Sequence, residues 1–221
     1  RALRGAGLTM ISFGGSNLLR LVSNLILTRL LFPEVFGLMA LVQIFITGLQ
    51  MFSDIGINAS IIQSKRGDDP DFLNTAWTLT IIRGILLWLA ACALAPLAAY
   101  IYDEPLLLAL IPVVGLNAFI RGFATTKIVV QNRHLQLGFQ TALALGAQAF
   151  GIALATLLAW WLQSVWALVF GTLLTTACHV ALMHFIIPGE NNRLKFEKEA
   201  FWEIIGFGKF ILLSTLAAFL I

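Results

Sequence analysis

Seven residues in this chain are polar where the text around them is apolar, and their types suggest one chemistry. Arg20 and Arg83 are cations set deep inside long hydrophobic runs, and Asp54 is an acid inside another. Asn17 and Asn24 stand three and four residues from Arg20, with Ser16 and Ser23 beside them, so they share one helix face. Gln43, Thr47, Gln50 and Asp54 fall at i, i+4, i+7 and i+11 on a second helix. Arginine presents a fork of N–H donors that matches phosphate, and amides and hydroxyls suit sugar hydroxyls. Arg20, Arg83, Asn17, Asn24, Gln43 and Gln50 therefore describe a hydrated, cationic cavity for an anionic, hydroxyl-rich ligand. Asp54 is a candidate for coupling to an ion or gating a contact; a structural ion pair with one of the arginines is the competing reading.

The elements that must hold these residues are membrane helices. Hydrophobic residues make up 59% of the 221 and charged residues 11%, with a mean hydropathy of +0.91. A soluble domain is about a quarter charged. The net charge of +3 and the pI near 9.1 come from loop cations rather than a nucleic-acid surface. Apolar runs of bilayer length cover about 7–31, 35–61, 73–100, 106–125, 137–162 and 165–187, and a seventh opens at Ile204. Pro96, Pro112 and Gly115 are kink candidates. Counted from the inner ends of their spans, Arg20 lies about 13 residues in and Arg83 about 10, or ~20 Å and ~15 Å along the axis. An unpaired arginine at that depth costs at least ~2.5 kcal/mol, which argues for a purpose.

Orientation follows from the loops. Arg1, Arg4, Lys65, Arg66, Lys127, Arg133, Arg193, Lys195 and Lys198 fall on one side, and Arg29 with Glu34, Asp103 and Glu104 on the other. The positive side is the cytoplasmic one, which places the N-terminus inside. Trp160, Trp161, Trp166, Tyr100 and Tyr102 mark the outer interface, and Trp77 and Trp202 the inner. Arg121, near the inner end of the fourth span, reads as snorkelling to that interface.

Other polar features carry less. Gln136, Gln140 and Gln148 on the fifth span and Thr172, Thr175, Thr176 and His179 on the sixth form weaker polar faces. His179 reads as a satisfied bundle histidine before a proton relay. Arg193 to Trp202 mixes Lys195 and Lys198 with Leu194, Phe196, Phe201 and Trp202, and is expected to form an amphipathic helix on the inner leaflet. Asp68-Asp69-Pro70-Asp71 is the one carboxylate cluster; such a cluster can bind Mg²⁺ with a diphosphate, but its proline argues for a turn. Cys92 and Cys178 sit in apolar runs as small buried residues. Walker, zinc, dinucleotide and hydrolase-triad motifs do not occur in the sequence, so the reading is not an enzyme and calls for no metal and no cofactor. The chain starts at Arg1 and stops at Ile221 inside an apolar run, and is expected to be part of a longer protein.

The run Leu27-Thr28-Arg29-Leu30-Leu31-Phe32-Pro33-Glu34-Val35-Phe36-Gly37-Leu38 resembles the first helix end and first loop of bacterial polysaccharide-exporting flippases. These form the polysaccharide transporter branch of the multidrug/oligosaccharidyl-lipid/polysaccharide exporter superfamily. Asp54-Ile55-Gly56, Ala59-Ser60-Ile61-Ile62-Gln63, Asn74-Thr75-Ala76-Trp77, Arg83-Gly84 and Ala95-Pro96 are similar too. The resemblance implies an all-α, polytopic transmembrane helix bundle: the first six-helix lobe of a two-lobe transporter plus the start of a seventh helix. Residues 1–187 would be that lobe, 188–203 a cytoplasmic interlobe linker, and 204–221 the opening of the second lobe. A faint match of Ser12-Phe13-Gly14 and Leu18-Leu19 with Gly206-Phe207-Gly208 and Leu212-Leu213 fits such a repeat, though chance explains it equally well.

The implied function is flipping of undecaprenyl-diphosphate-linked oligosaccharide across the bacterial inner membrane for exopolysaccharide or O-antigen synthesis. The implied partners are that lipid-linked oligosaccharide, membrane lipid and a polysaccharide polymerase, with no nucleic acid. Two other readings compete. A multidrug exporter of similar fold would want acids in its cavity. A membrane-embedded glycosyltransferase or polymerase would want clustered carboxylates or a large outer loop.

Overall fold

Proline and aspartate set where the long helices begin. The computed structural model describes the backbone of residues 2–53, 56–134 and 137–219, and side chains over 13–51, 53, 56–134 and 142–208. Among these, nine helices run in order: α1 (Ala2–Leu30), α2 (Pro33–Phe52), α3 (Ile57–Gln63), α4 (Pro70–Tyr102), α5 (Leu107–Gly122), α6 (Lys127–Arg133), α7 (Leu137–Leu162), α8 (Val165–Ile186) and α9 (Lys198–Phe219). Phe32, before Pro33, is extended at φ −69° and ψ 149°, as a residue preceding proline must be, and Glu34 lies in the first turn of α2 where the helix dipole favours an acid. Asp69 caps α4 by accepting from the Asp71 N–H at 3.0 Å, with Pro70 at the first helical position.

One apolar run breaks where the sequence suggested continuity, and one link between spans is helical. The span expected over Val35–Ile61 ends at Phe52, and α3 is a separate short helix. Gly56 enters α3 at φ +62°, a left-handed conformation that no α-helix can pass through. The fourth span ends at Gly122; α6, expected as a polar link, is helical and turns 62° from α5. Pro96 does not end α4, which continues through it to Tyr102.

The chain is an all-α, multi-span membrane bundle. Among the described residues four helices are long and apolar enough to cross a membrane: Pro33–Met51, Pro70–Tyr102, Ala142–Leu162 and Val165–Ile186. The bent pair of α5 and α6 makes a fifth if it counts as one span. α4 and α5 pack backbone to backbone: a Cβ on Gly84 would come within 2.8 Å of the Ala118 carbonyl, and one on Gly122 within 3.1 Å of the Thr80 carbonyl. One core joins α1, α2, α4, α5, α7 and α8 around Val42, Ala91, Leu110, Ile111 and Val169. A smaller one sits at the other end, where Ile57, Ile61, Phe72, Ala76, Val129, Ala200 and Ile204 bring α3, α4, α6 and α9 together.

Between α8 and α9 the chain runs extended, so the helix expected over Arg193–Trp202 exists only from Lys198 onward. The reason is legible in the residues. Leu194 and Phe196 alternate with Lys195 and Glu197 at period two, which is a strand-like and not a helical period. The N–H groups of Arg193, Lys195 and Glu197 donate to Asn74 Oδ1, Thr78 Oγ1 and Thr75 Oγ1 at 2.8, 3.2 and 3.0 Å, which lays this strap along the first turns of α4.

Candidate functional site

A cavity of about 490 Å³ opens among α1, α2, α5, α7 and α8. α1 contributes Arg20, Ser23 and Leu27; α2 contributes Met39, Gln43, Ile46 and Gln50. α5 adds Val114, Asn117 and Arg121, α7 adds Gln148, Gly151, Ile152 and Ala155, and α8 adds Leu168, Gly171, Thr172, Thr175 and Thr176. The wall is therefore amide, hydroxyl and aliphatic, with two guanidinium groups and, among the described residues, no carboxylate.

Local bonds fix much of this wall. Ser16 Oγ donates to Gln148 Oε1 at 2.8 Å, and Gln148 Nε2 returns a bond to the Ser16 carbonyl at 3.1 Å, which clamps α1 to α7. Gln43 Nε2 donates to Thr47 Oγ1 at 2.9 Å along α2. Thr175 Oγ1 is bonded back to the Gly171 carbonyl at 2.6 Å and lies against Gly151, whose missing side chain makes room for it. Asn117 Nδ2 donates to the Val114 carbonyl at 3.2 Å, while its buried Oδ1 has no hydrogen-bond partner.

The structure sorts the residues singled out from the sequence. Arg20, Gln43 and Gln50 come together in the cavity wall. Asn17 and Asn24 are exposed on α1 and lie outside that wall. Arg83 is also outside it: its Nε donates to Ser53 Oγ at 3.1 Å and its Nη2 to the Gln50 carbonyl at 3.2 Å, so it grips the end of α2. Asp54 lies outside the described residues. Arg121, read from sequence as snorkelling, is the second cation of the wall. Its signal was present in the spacing, since Val114, Asn117 and Arg121 fall at i, i+3 and i+7 on one face.

The polar residues around the start of α4 are tied to one another. Arg66 Nη2 bonds Asp69 at 2.7 Å and Glu197 at 2.8 Å, joining the cap of α4 to the strap. The Arg66 guanidinium, followed by the Asp71 N–H, holds the Asp69 carboxyl below the usual carboxylate range. Asp69 and then Glu197 push the Arg66 guanidinium up in return. Asp68 meets His134 at 2.9 Å and Arg133 Nε at 3.3 Å, and Asp71 meets Lys195 at 2.6 Å. Each aspartate of the 68–71 cluster thus has a cationic or backbone partner. Among the described residues no group of three or more His, Cys, Asp or Glu is placed to hold a metal ion.

Chemically, the membrane cavity can attract and orient an anion. Charges in a low-dielectric setting interact more strongly than in water, and the hydroxyls and amides offer both donors and acceptors to a polyhydroxylated group. Residues 26–221 match the family described as polysaccharide biosynthesis protein. No curated protein and no solved structure matches the chain.

Proposed function

We propose, for a chain that belongs to the polysaccharide biosynthesis protein family, that it moves an undecaprenyl-diphosphate-linked oligosaccharide across the bacterial inner membrane for exopolysaccharide or O-antigen synthesis. The observation that carries this reading is the cavity wall: two guanidiniums among amides and hydroxyls, without an acid among its described residues, inside a membrane bundle. A large polar head group needs such a path, while its lipid tail remains in the bilayer. Arg20 and Arg121 take the diphosphate or acidic sugars through their N–H forks. Gln43 and Gln50 meet sugar hydroxyls, and Asn17 and Asn24 extend the polar path along α1. Arg83 serves from behind, through the end of α2, and Asp54 couples an ion or gates a contact. In this reading the protein is a transporter rather than an enzyme, and a polysaccharide polymerase is its partner in the pathway. The bundle is one lobe of a two-lobe transporter with its N-terminus in the cytoplasm. A cationic-drug exporter fits less well, because the wall's charge has the wrong sign.

The test is polymer export by the full chain in a strain lacking its own exporter. Arg20→Ala and Arg121→Ala each cut export while membrane levels stay near wild type. Lysine restores part of it, since charge remains and the bidentate fork is lost. Glutamate is worst, because it repels a diphosphate. Wild-type export from both alanine variants overturns the reading.

A further inference from the structure

The break between α5 and α6 is held from outside. A helix end leaves backbone groups without intrahelical partners, and inside a bundle they must be met by something else. The Phe123 carbonyl at the end of α5 accepts from His184 Nε2 on α8 at 2.7 Å and from Trp77 Nε1 on α4 at 3.3 Å. A carbonyl only accepts, so the His184 proton is on Nε2. At the start of α6 the partner is the strap. Asn192 Oδ1 accepts from the Thr126 N–H at 3.0 Å and from Thr125 Oγ1 at 2.9 Å, and its Nδ2 donates to Thr126 Oγ1 at 2.7 Å. Thr125 and Thr126 are 3% and 7% exposed, so water does not substitute for this amide. The neighbouring Asn191 Oδ1 accepts from Lys127 Nζ at 2.8 Å, and Lys127 also reaches the His184 and Ile187 carbonyls at the end of α8.

Arg121 is in the last turn of α5, four residues before Thr125, and its guanidinium lines the cavity. A short chain clamped at Phe123 and at Thr125–Thr126 leaves little freedom for the turn between. We propose that Asn192 is a positioning residue for the cavity: its side chain fixes the α5–α6 break and thereby sets where Arg121 stands. This rests on the reading of the cavity as an anion path, which Asn192 itself does not touch. Its amide is suited to the work because one side chain supplies both acceptor and donor. Aspartate keeps both acceptor contacts, and the Thr126 hydroxyl can then donate to it; alanine keeps none.

The experiment measures the geometry without any ligand. In the full chain with Cys92 and Cys178 replaced by alanine, spin labels are placed at Gln43→Cys and Arg121→Cys, across the cavity. A control pair at Gln43→Cys and Thr172→Cys leaves α5 out. The protein is reconstituted in phosphatidylethanolamine–phosphatidylglycerol vesicles and the label distances are measured by pulsed electron resonance. Asn192→Ala shifts or broadens the 43–121 distance and leaves 43–172 as in the parent; Asn192→Asp leaves both as in the parent. An unchanged 43–121 distance in Asn192→Ala overturns the proposal. So does an equal change in both pairs, which means general loosening. Export is then assayed with Arg121 in place, and falls in Asn192→Ala but not in Asn192→Asp. A shifted distance with export at the parent level supports Asn192 as a positioning residue and removes the transport role of Arg121, so the two readings fail separately.

Discussion

Arg83 on α4 donates to the backbone carbonyl of Gln50 on α2 at 3.2 Å, and the side chain of that same Gln50 lines the cavity. The last carbonyls of a helix lack intrahelical donors and sit at the negative end of its dipole. Ser53 Oγ also donates to the Gln50 carbonyl, at 3.0 Å, and accepts from Arg83 Nε at 3.1 Å. One cation thus closes the end of α2 twice, directly and through a hydroxyl, and supports the wall from behind.

Arg83→Ala therefore acts on stability first. Loss of hydrogen bonds to a charged group costs roughly 1.5–3 kcal/mol, and the thermal midpoint of the detergent-solubilised protein falls accordingly. Arg83→Lys recovers part of the loss, because an ammonium still reaches an acceptor but has no Nε and Nη2 pair. Arg20→Ala leaves the midpoint close to wild type, since Arg20 is exposed. A midpoint for Arg83→Ala equal to that of Arg20→Ala removes the structural role assigned here.

The contrast between these two arginines shows where sequence reasoning reaches its limit. Periodicity placed Arg20, Gln43 and Gln50 on helix faces, and the structure brings those three together. It gave Arg83 the same depth and the same weight, because depth along a helix says nothing about which neighbour fills the space beside it. Among the described residues Arg83 bonds the end of α2, and reading Val35–Ile61 as one helix hides that end. Arg121 differs for a related reason: closeness to one end of its span suggests snorkelling, and it also lines the cavity because its neighbours on that face come from other helices, which the spacing of α5 does not show. Long apolar helices are legible in the sequence, α7 and α8 to within a residue and α4 to within three, since hydrophobic length fixes them. Breaks depend on left-handed backbone and on side chains from distant elements, neither of which leaves a periodic trace.

Gly67 offers a steric test of the end where α3 meets α6. Arg133 Nη1 donates to the carbonyls of Ile61, Ile62 and Ser64 at 2.9, 2.9 and 2.6 Å, capping α3 from α6. A Cβ on Gly67 would overlap both the Ile61 carbonyl oxygen and that guanidinium. Gly67→Ala is expected to break the cap and lower both membrane level and thermal midpoint. Gly48→Ala is the control: it lies within α2 with nothing inside 4 Å of an added Cβ, and a glycine replaced by alanine in a helix gains about 0.5–1 kcal/mol. Equal midpoints for the two variants would contradict the close approach at Gly67.

Asp69 gives a pH dependence with a definite sign. Its carboxyl is held below its ordinary value, chiefly by Arg66 and then by the Asp71 N–H. A lowered folded value means that the stabilisation is complete above the unfolded value of about 3.9 and is lost as pH falls through the folded one. The stability gap between wild type and Asp69→Ala therefore stays constant from neutrality to about pH 5 and closes only below that range. Loss of an N-cap alone is worth roughly 0.5–2 kcal/mol. The side chain is 35% exposed, so the Arg66 share is small and weakens with salt. Asparagine keeps the capping oxygen and falls between the two. A gap that grows as pH drops from 7 to 5 has the wrong sign and refutes the assignment.

The last prediction concerns which way the bundle faces. One end of the bundle is a connected polar platform: Ser64 Oγ donates to Glu203 at 2.5 Å, Arg66 meets Glu197, Arg133 caps α3, and Lys195 meets Asp71. These contacts place the segments carrying Lys65, Arg66, Lys127, Arg133, Lys195 and Lys198 on one side of the membrane, so they have a single orientation to share. The opposite end has Arg29 at the end of α1, Glu34 at the start of α2, and Asp103 and Glu104 after α4. Positive loops stay in the cytoplasm, so the platform is expected to face inward. Lys65 and Glu34 are both exposed and stand near opposite ends of the bundle, beyond α3 and at the start of α2. In the full chain with Cys92 and Cys178 replaced by alanine, Lys65→Cys is shielded from an impermeant thiol reagent added to intact cells, and Glu34→Cys is labelled. Permeabilising the cells exposes both. The reverse pattern inverts the orientation and leaves the bundle intact. Labelling of both in intact cells instead means that the chain between them does not cross the membrane, which contradicts the assignment of α2 as a span.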